Sequence, residues 1–563
     1  MINKLPLIEK GTCGQMDFDC RQHNSSHILL FIYVLVVVIF FLVLSARLFQ
    51  LTIVKGAYYR NRSENNRIRE VIIEAKRGSI LDRKGYEIAS SIDAPVDVSG
   101  DRLRSNRSYL DGGTLANLIG YRQQADKHDL DEDPCLNKLQ LGDKVGKKGA
   151  EKLFECDLRG IAGTKLIEIN ASGKVINTIQ VVPPQKGRNV QMAIDSDLQR
   201  KVYEIIKEKM PDKRVVAVAT KPQTGEILLA ISYPSFNSQD FEDGNTKAIV
   251  NYLQDPHKPL FNRVSEGVYP PGSTFKMVPA IGALEDKIID ESTQLNDEGF
   301  VKAGTTQFGN WYFLQYGKTE GEVDITKALR RSNDTFFYLL GEKMGPDRIK
   351  KWAEILGYHQ KTDYGFEEVE GTIPSPFWKE DVLKDQWYTG DTYNMSIGQG
   401  YTLATPLQVN QVTSMLANKG ASCKPKLLKV GTGSDLLSVS FAQPECKRLP
   451  ISDKTIGIVR DGMRQACTTG GTGWPFFDFS VGDATSSASL SGALKRQIQV
   501  GCKTGTAESH GESGSPHAWF TVFAPYDNPE IALTVLVEEG GQGSDIAGPL
   551  AKEILNTYFE RKE

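Results

Sequence analysis

The residues best able to do chemistry fall in three short stretches of the chain's second half. The first reads Tyr269-Pro270-Pro271-Gly272-Ser273-Thr274-Phe275-Lys276-Met277-Val278. Two prolines and a glycine break the chain and an apolar helical pattern starts at once, which places Ser273 at a helix N-terminus. Ser273 and Lys276, three residues apart, then share one helix face. A serine hydroxyl is a weak nucleophile until a base stands within hydrogen-bond reach. Lys276 is such a base only when neutral, and burial and the positive helix end both lower its pKa. The free N–H groups of the same helix end suit an oxyanion. Taken alone, the pattern reads as readily as a helix cap beside a solvated lysine.

The second stretch, Arg331-Ser332-Asn333-Asp334-Thr335, separates two helical patterns, which places Ser332 on a turn where a hydroxyl can enter a cleft. The bland reading is a helix N-cap. The third is Gly501-Cys502-Lys503-Thr504-Gly505-Thr506-Ala507-Glu508. It is no phosphate loop, because Cys502 stands where a glycine is needed and no strand-loop-helix context surrounds it. Its flanks, Ile498-Gln499-Val500 and Ala518 to Phe523, read as strands. A lysine and two hydroxyls on a strand edge suit capture of a carboxylate.

These stretches need a framework. From Val190 the texture is that of a large α/β domain, with strands at Val215–Thr220 and Ile227–Ser232 joined by a turn at Gln223-Thr224-Gly225-Glu226. Upstream, the stretch Arg77 to Gly85 and the alternation at Leu166 to Asn170, followed by a turn at residues 171–173, suggest further strands. Residues 101–165, rich in Asp, Lys, Gly and Asn, read as an irregular or inserted segment. Pro183-Pro184 and Gly187 mark a linker. At the start, Ile28 to Leu44 is an unbroken apolar run, long enough for a retained single-span anchor and followed by a poor signal-cleavage site. Lys4, Lys10 and Arg21 precede it and Arg47, Lys55, Arg60, Arg62 and Arg67 follow, a count that opposes export of the C-terminal part.

The whole chain of 563 residues has 40% hydrophobic and 24% charged residues and a net charge of −3. That is enough apolar material for a sizeable core, and the global basicity of a nucleic-acid binder is absent. Eight cysteines make no disulfide scaffold and form no CxxC metal motif. Cys135 with Cys156 and Cys423 with Cys446 could pair outside the cytoplasm, though other connectivities stay open. Cys502 reads as a strand thiol, and His510 and His517 as loop residues.

Ser-x-x-Lys, a second serine motif and Lys-Thr-Gly, in that order, form the active-serine signature of penicillin-binding proteins and class A β-lactamases. The chain resembles the class B penicillin-binding proteins, monofunctional D,D-transpeptidases of peptidoglycan synthesis. The likeness extends to Arg77-Gly78-x-Ile80-x-Asp82-Arg83-x-Gly85, Gly146-x-x-Gly149-Ala150-Glu151, Leu158-Arg159-Gly160, Thr224 to Leu228, Asn394 to Gly400 and Thr405 to Gln408. Asp334 at the third position of the second motif, usually Asn, resembles the elongation-type subfamily, penicillin-binding protein 2.

The resemblance implies an α/β (α+β) chain in four parts: a tail (1–27), a transmembrane anchor (28–48), a mostly-β pedestal of the dimerisation type (49–189), and a transpeptidase domain (190–563) with a central antiparallel sheet flanked by helices. It implies Ser273 as nucleophile toward stem peptides and β-lactams, Lys276 as base, and Ser332 and Lys503 as a proton relay. Asp334, Thr504, Gly505 and Thr506 would bind substrate, and the N–H groups of Ser273 and Thr506 would form the oxyanion hole. Asp334 would point at Lys276, with burial and Lys503 keeping one lysine neutral. Some members of the subfamily hold zinc between the first two motifs; residues 277–331 contain no Cys or His, so no metal is expected, nor any cofactor. The expected setting is the inner membrane, with the catalytic domain outside and a membrane glycosyltransferase of the shape, elongation, division and sporulation class as partner. A β-lactam-hydrolysing enzyme, a β-lactam sensor and an inactive scaffold are the alternatives.

Overall fold

The computed structural model describes residues 23–93, 102–170, 172–429, 438–439, 444–482, 495–509 and 514–560. They divide into two compact units, one holding residues up to 72 with 164–182, the other the remaining described residues.

In the first unit a helix, His23–Phe49, carries the apolar run. Its most apolar window has a mean hydropathy of 3.3 and is nowhere buried. A bare apolar surface of that length is stable against lipid and not against water. A π turn (Gln50–Val54) and a polar helix (Gly56–Arg67) follow. The alternation near residue 166 becomes the hairpin Gly163–Ile169 with Val175–Val182. Asn170 shapes its turn, its side-chain oxygen accepting the N–H groups of Ser172 (3.0 Å) and Lys174 (2.9 Å).

In the second unit, Ile80–Leu81 and Glu87–Asp93 pair antiparallel, and Asp82 closes their turn by accepting the N–H groups of Lys84 (2.8 Å) and Tyr86 (2.9 Å). Within the stretch read as irregular, residues 102–163 instead carry short strands and helices, with Ala116–Ile119 wholly buried. The reason is that buried charge pairs organise this stretch. Arg77 pairs with Glu151 (2.5 Å) and Glu155 (2.6 Å), Arg107 with Glu151 (2.7 Å), and Arg122 with Glu242 (2.7 Å). Such charges remain buried because each meets a partner, and apolar periodicity cannot announce them. Cys135 and Cys156 are disulfide-bonded here, and Cys423 and Cys446 further on.

The site rests on a five-stranded sheet: β1 (Val215–Thr220), β2 (Ile227–Tyr233), β3 (Gly501–Ala507), β4 (His517–Ala524) and β5 (Ile531–Val537). Its order is β2-β1-β5-β4-β3 and every neighbouring pair is antiparallel. Helices cover both faces, so the central strands read as nearly unbroken apolar runs. Val215, Ala217 and Ala219 pack with α1 (Ser196–Lys209) and α7 (Gly548–Glu560). Val216 and Val218 face the core built by α2 (Met277–Glu285), α4 (Asp334–Met344) and α5 (Pro406–Ala417). Between α2 and α4 lies α3 (Ile325–Arg331), and α6 (Asp453–Ala466) packs against it. The edge strand β3 lies against the turn that begins α2. Ile498-Gln499-Val500, read as strand, forms none; pairing with β4 starts at Gly501.

Candidate active site

Ser273 stands where α2 begins. Gly272 has φ +53°, a region that glycine enters without a Cβ clash, and Gly272–Lys276 then wind as a 3-10 turn into α2. The Gly272 N–H donates to Gly398 O (2.9 Å) and the Thr274 hydroxyl to Pro271 O (2.7 Å). Ser273 faces a cavity of about 700 Å³ that Ser332, Asp334, Thr504 and Thr506 also line. Lys276, at the end of that turn, is fully buried beneath the cavity.

Ser332 sits between α3 and α4 at φ +52°, a left-handed conformation that is uncommon for a residue with a side chain and concentrates at functional sites. It is not the N-cap. Asn333 is, its side-chain oxygen accepting the Phe336 N–H at 2.8 Å. The Ser332 hydroxyl is thereby left for the cavity.

On β3, Lys503 is fully buried and Thr506 exposed. Gly505, expected among the substrate-binding residues, is not part of the cavity lining. A Cβ there would stand 3.0 Å from Thr274 Cγ2 and 3.1 Å from Pro271 O, so the glycine permits β3 to pack directly on the nucleophile's turn. Gln399 secures the same edge, donating to Thr506 O (3.2 Å) and accepting the Glu508 N–H (3.2 Å).

The side chains converge. Lys503 Nζ lies 2.8 Å from Ser332 Oγ and donates to Thr504 O at 2.9 Å. Lys276 Nζ is 3.4 Å from Ser332 Oγ, 2.7 Å from Ser332 O and 2.6 Å from Asp334 Oδ1. The other Asp334 oxygen accepts the Trp311 N–H at 3.0 Å. Burial lowers the Lys276 pKa, while Asp334 beside it raises it, and the net direction is down. Lys503 lies well below the ordinary lysine value, through burial first and the neighbouring Lys276 charge second, with Asp334 opposing both. Two buried amines thus share one carboxylate. The direct Asp334 contact belongs to Lys276.

Several site features lie outside the three motifs. The helix Trp311–Tyr316 and Trp474 contribute an aromatic wall to the cavity. Thr504 Oγ1 donates to Thr472 Oγ1 at 2.9 Å. Cys502 is not a free thiol: it is disulfide-bonded to Cys467, the residue after α6. That cross-link ties the loop bearing Thr472 to the strand position before Lys503. His517 is not in a loop but opens β4, where its Nδ1 accepts the Glu539 N–H at 3.1 Å. His510 lies outside the described residues. Among the described residues no three His, Cys, Asp or Glu side chains cluster as metal ligands.

Comparison with known proteins places this geometry. The family model for the penicillin binding protein transpeptidase domain matches residues 215–556, and that for the penicillin-binding protein dimerisation domain matches 101–192. Peptidoglycan D,D-transpeptidase MrdA of Escherichia coli strain K12 is 31% identical, covering 91% of each chain. The MrdA of Haemophilus influenzae is 32% identical over 81% of this chain and 70% of that one. The crystal structure of Pseudomonas aeruginosa PBP2 in complex with WCK 5153 is 29% identical and covers 87% of this chain and 96% of that one, with a TM-score of 0.70. A complex between PBP2 and MreC from Helicobacter pylori is 25% identical over 88% of this chain and 99% of that one, again at 0.70. With the serine and the edge strand lining one cavity and the two lysines buried beside it, these matches show that the chain belongs to the class B penicillin-binding proteins of the PBP2 type and is a peptidoglycan D,D-transpeptidase.

Proposed function

We propose that the cross-linking reaction runs through Ser273 as follows. Its Oγ attacks the penultimate D-Ala carbonyl of a stem peptide, its proton passes to Lys276, and the D-Ala amine leaves with a proton carried by Ser332. For Lys276 to accept, its own proton first moves through the Ser332 hydroxyl to a neutral Lys503. An amine of a second stem peptide then attacks the ester, and Ser273 recovers its proton. The N–H groups of Ser273 and Thr506 hold the oxyanion. Thr506 Oγ1 already accepts the Gly543 N–H (3.3 Å), so its own proton is available to the substrate carboxylate, beside Thr504. The observation that carries this reading is the Ser332 hydroxyl standing between two buried lysines with one carboxylate.

The four parts, tail (1–27), anchor (28–48), pedestal (49–189) and transpeptidase domain (190–563), would place this chemistry outside the inner membrane. The partner would be a membrane glycosyltransferase of the shape, elongation, division and sporulation class. The Helicobacter pylori relative solved with MreC supports an elongation setting. A membrane-impermeant labelled penicillin added to intact spheroplasts tests mechanism and topology together. A stable adduct on intact cells is expected. Labelling only after lysis would overturn the topology, and rapid release of the label would favour the hydrolase.

Asp334 sets the pH dependence. Its carboxylate favours the ammonium form of Lys276, whereas an Asn amide can donate to the neutral amine. In Asp334→Asn the acidic limb of the acylation profile is therefore expected at lower pH, with the plateau rate changed less. Acylation rates across pH check this; an unmoved limb would reduce Asp334 to a structural role in the first turn of α4.

A further inference from the structure

We propose that Asp297 is a positioning residue of the transpeptidase reaction: its carboxylate holds Asn310 and Asn333, and these two amides set the first turn of α4 so that Asp334 rests on Lys276. The proposal builds on the assignment of Lys276 as proton acceptor.

Asp297 ends a short strand, Leu295–Asp297, and is buried. Its Oδ1 accepts the Gly299 N–H at 2.9 Å. Its Oδ2 accepts three donors: Asn310 Nδ2 (2.8 Å), Asn333 Nδ2 (2.8 Å) and the Glu320 N–H (3.0 Å). Three of the four donors thus converge on one oxygen of the carboxylate. Asn310 and Asn333 are both fully buried, so each amide has one low-energy orientation, with its NH₂ on Asp297 and its oxygen turned away. Those oxygens meet the start of α4. Asn310 Oδ1 accepts the Asp334 N–H at 3.1 Å, and Asn333 Oδ1 accepts the Phe336 N–H at 2.8 Å. Fixing Asn310 also fixes the next residue, whose N–H donates to Asp334 Oδ2 at 3.0 Å and leaves Oδ1 for Lys276 at 2.6 Å. If either amide turned over, its NH₂ would face a backbone N–H, an unsatisfied buried donor pair. Asp297 thus selects the state in which Asp334 has both oxygens engaged.

The groups around this chain of contacts are few. Lys276 is faced by Asp334 from α4, by Lys503 from β3, by the Ser332 hydroxyl and carbonyl, and by the Phe337 ring at 5.4 Å. Tyr338 lies electrostatically near Asp334. Around Asp297, Glu320 directs its own carboxylate to Arg331 (2.7 Å) and Lys327 (4.0 Å), and Asn296 is in register with Glu322.

A purely architectural Asp297 and a positioning Asp297 both predict lower thermal stability when it is replaced; only the second predicts a displaced pH profile. The test uses the full-length protein in detergent. Acylation by a fluorescent penicillin is followed across pH for Asp297→Asn, Asp334→Asn and the double variant, with thermal unfolding in parallel. In Asp297→Asn the acidic limb is expected at lower pH, in the direction of Asp334→Asn, because a loosened Asp334 stabilises the Lys276 ammonium less. The double variant should move no further than Asp334→Asn alone. A uniformly slower Asp297→Asn with an unmoved limb, or shifts that add in the double variant, overturns the proposal. An unmoved limb in Asp334→Asn as well would instead reduce Asp334 itself to a structural role and remove the Asp334–Lys276 coupling on which the proposal rests. If Asp297→Asn does not fold, Asn310→Ala, which cuts one arm and spares the Asn333 cap, should show a smaller shift of the same sign; an unmoved limb there counts against the proposal equally.

Discussion

Ser273→Ala protein is expected to take up no labelled penicillin and to cross-link no peptidoglycan while unfolding at the temperature of the parent. Loss of an active serine elsewhere costs on the order of 10⁶ in rate, far more than any neighbouring group supplies. The substitution removes one oxygen from a half-buried side chain at the mouth of a cavity. The turn that carries it is held by other contacts: Gly272 to Gly398 and Thr274 to Pro271 through hydrogen bonds, and Trp519 Nε1 to Pro270 O at 3.0 Å. Changes of this kind alter stability by about 0.5 kcal/mol or less. Labelling that persists at Ser332 or another hydroxyl would remove Ser273 from the mechanism; labelling lost together with the fold would leave the variant uninformative, so thermal unfolding and labelling are read on the same sample.

What the sequence made legible was local. Ser273 and Lys276 are three residues apart, and the Pro-Pro-Gly break before them states where the helix starts. Lys503 and Thr504 lie on a strand whose partner, β4, is plainly apolar. The relation of Asp334 to Lys276 followed from the order of the motifs and the resemblance. The rest depended on contacts between distant positions. Cys467 and Cys502 are 35 residues apart, and nothing in either neighbourhood announces the other. Asp297, Asn310 and Asn333 carry no motif; only the Asn333 cap, a polar residue just ahead of a helical pattern, gave a local sign. Residues 102–163 looked irregular because charged residues do the packing there, and an Arg–Glu pair buried across 74 positions, such as Arg77 with Glu151, leaves no periodic trace. His517 looked like loop because its neighbours Gly514 to Pro516 are turn formers, whereas pairing with Ala507 makes it the first residue of β4.

Replacing Lys276 is the second large effect, and it separates the two lysines. Lys276→Met keeps the length and apolar stem of the side chain and removes the amine. Loss of a positioned general base slows a reaction by about 10²–10⁴-fold, so slow but measurable acylation is expected. The variant should also be less stable, because Asp334 is left facing a thioether; breaking a buried pair at one end costs roughly 3–5 kcal/mol. What remains reports on Lys503. In the parent, the Lys276 charge is the second cause, after burial, that holds Lys503 low, while Asp334 raises it. Without Lys276 the repulsion vanishes and the carboxylate has only Lys503 to attract. The Lys503 pKa therefore rises, and any residual acylation that uses Lys503 as base must need higher pH than the parent reaction. Asp334→Asn moves the limb the opposite way. Opposed displacements in the two variants, measured with one fluorescent penicillin, are the result expected if one carboxylate is shared between two buried amines. A Lys276→Met profile that keeps the parental limb would mean that the titration seen in the parent belongs to neither lysine.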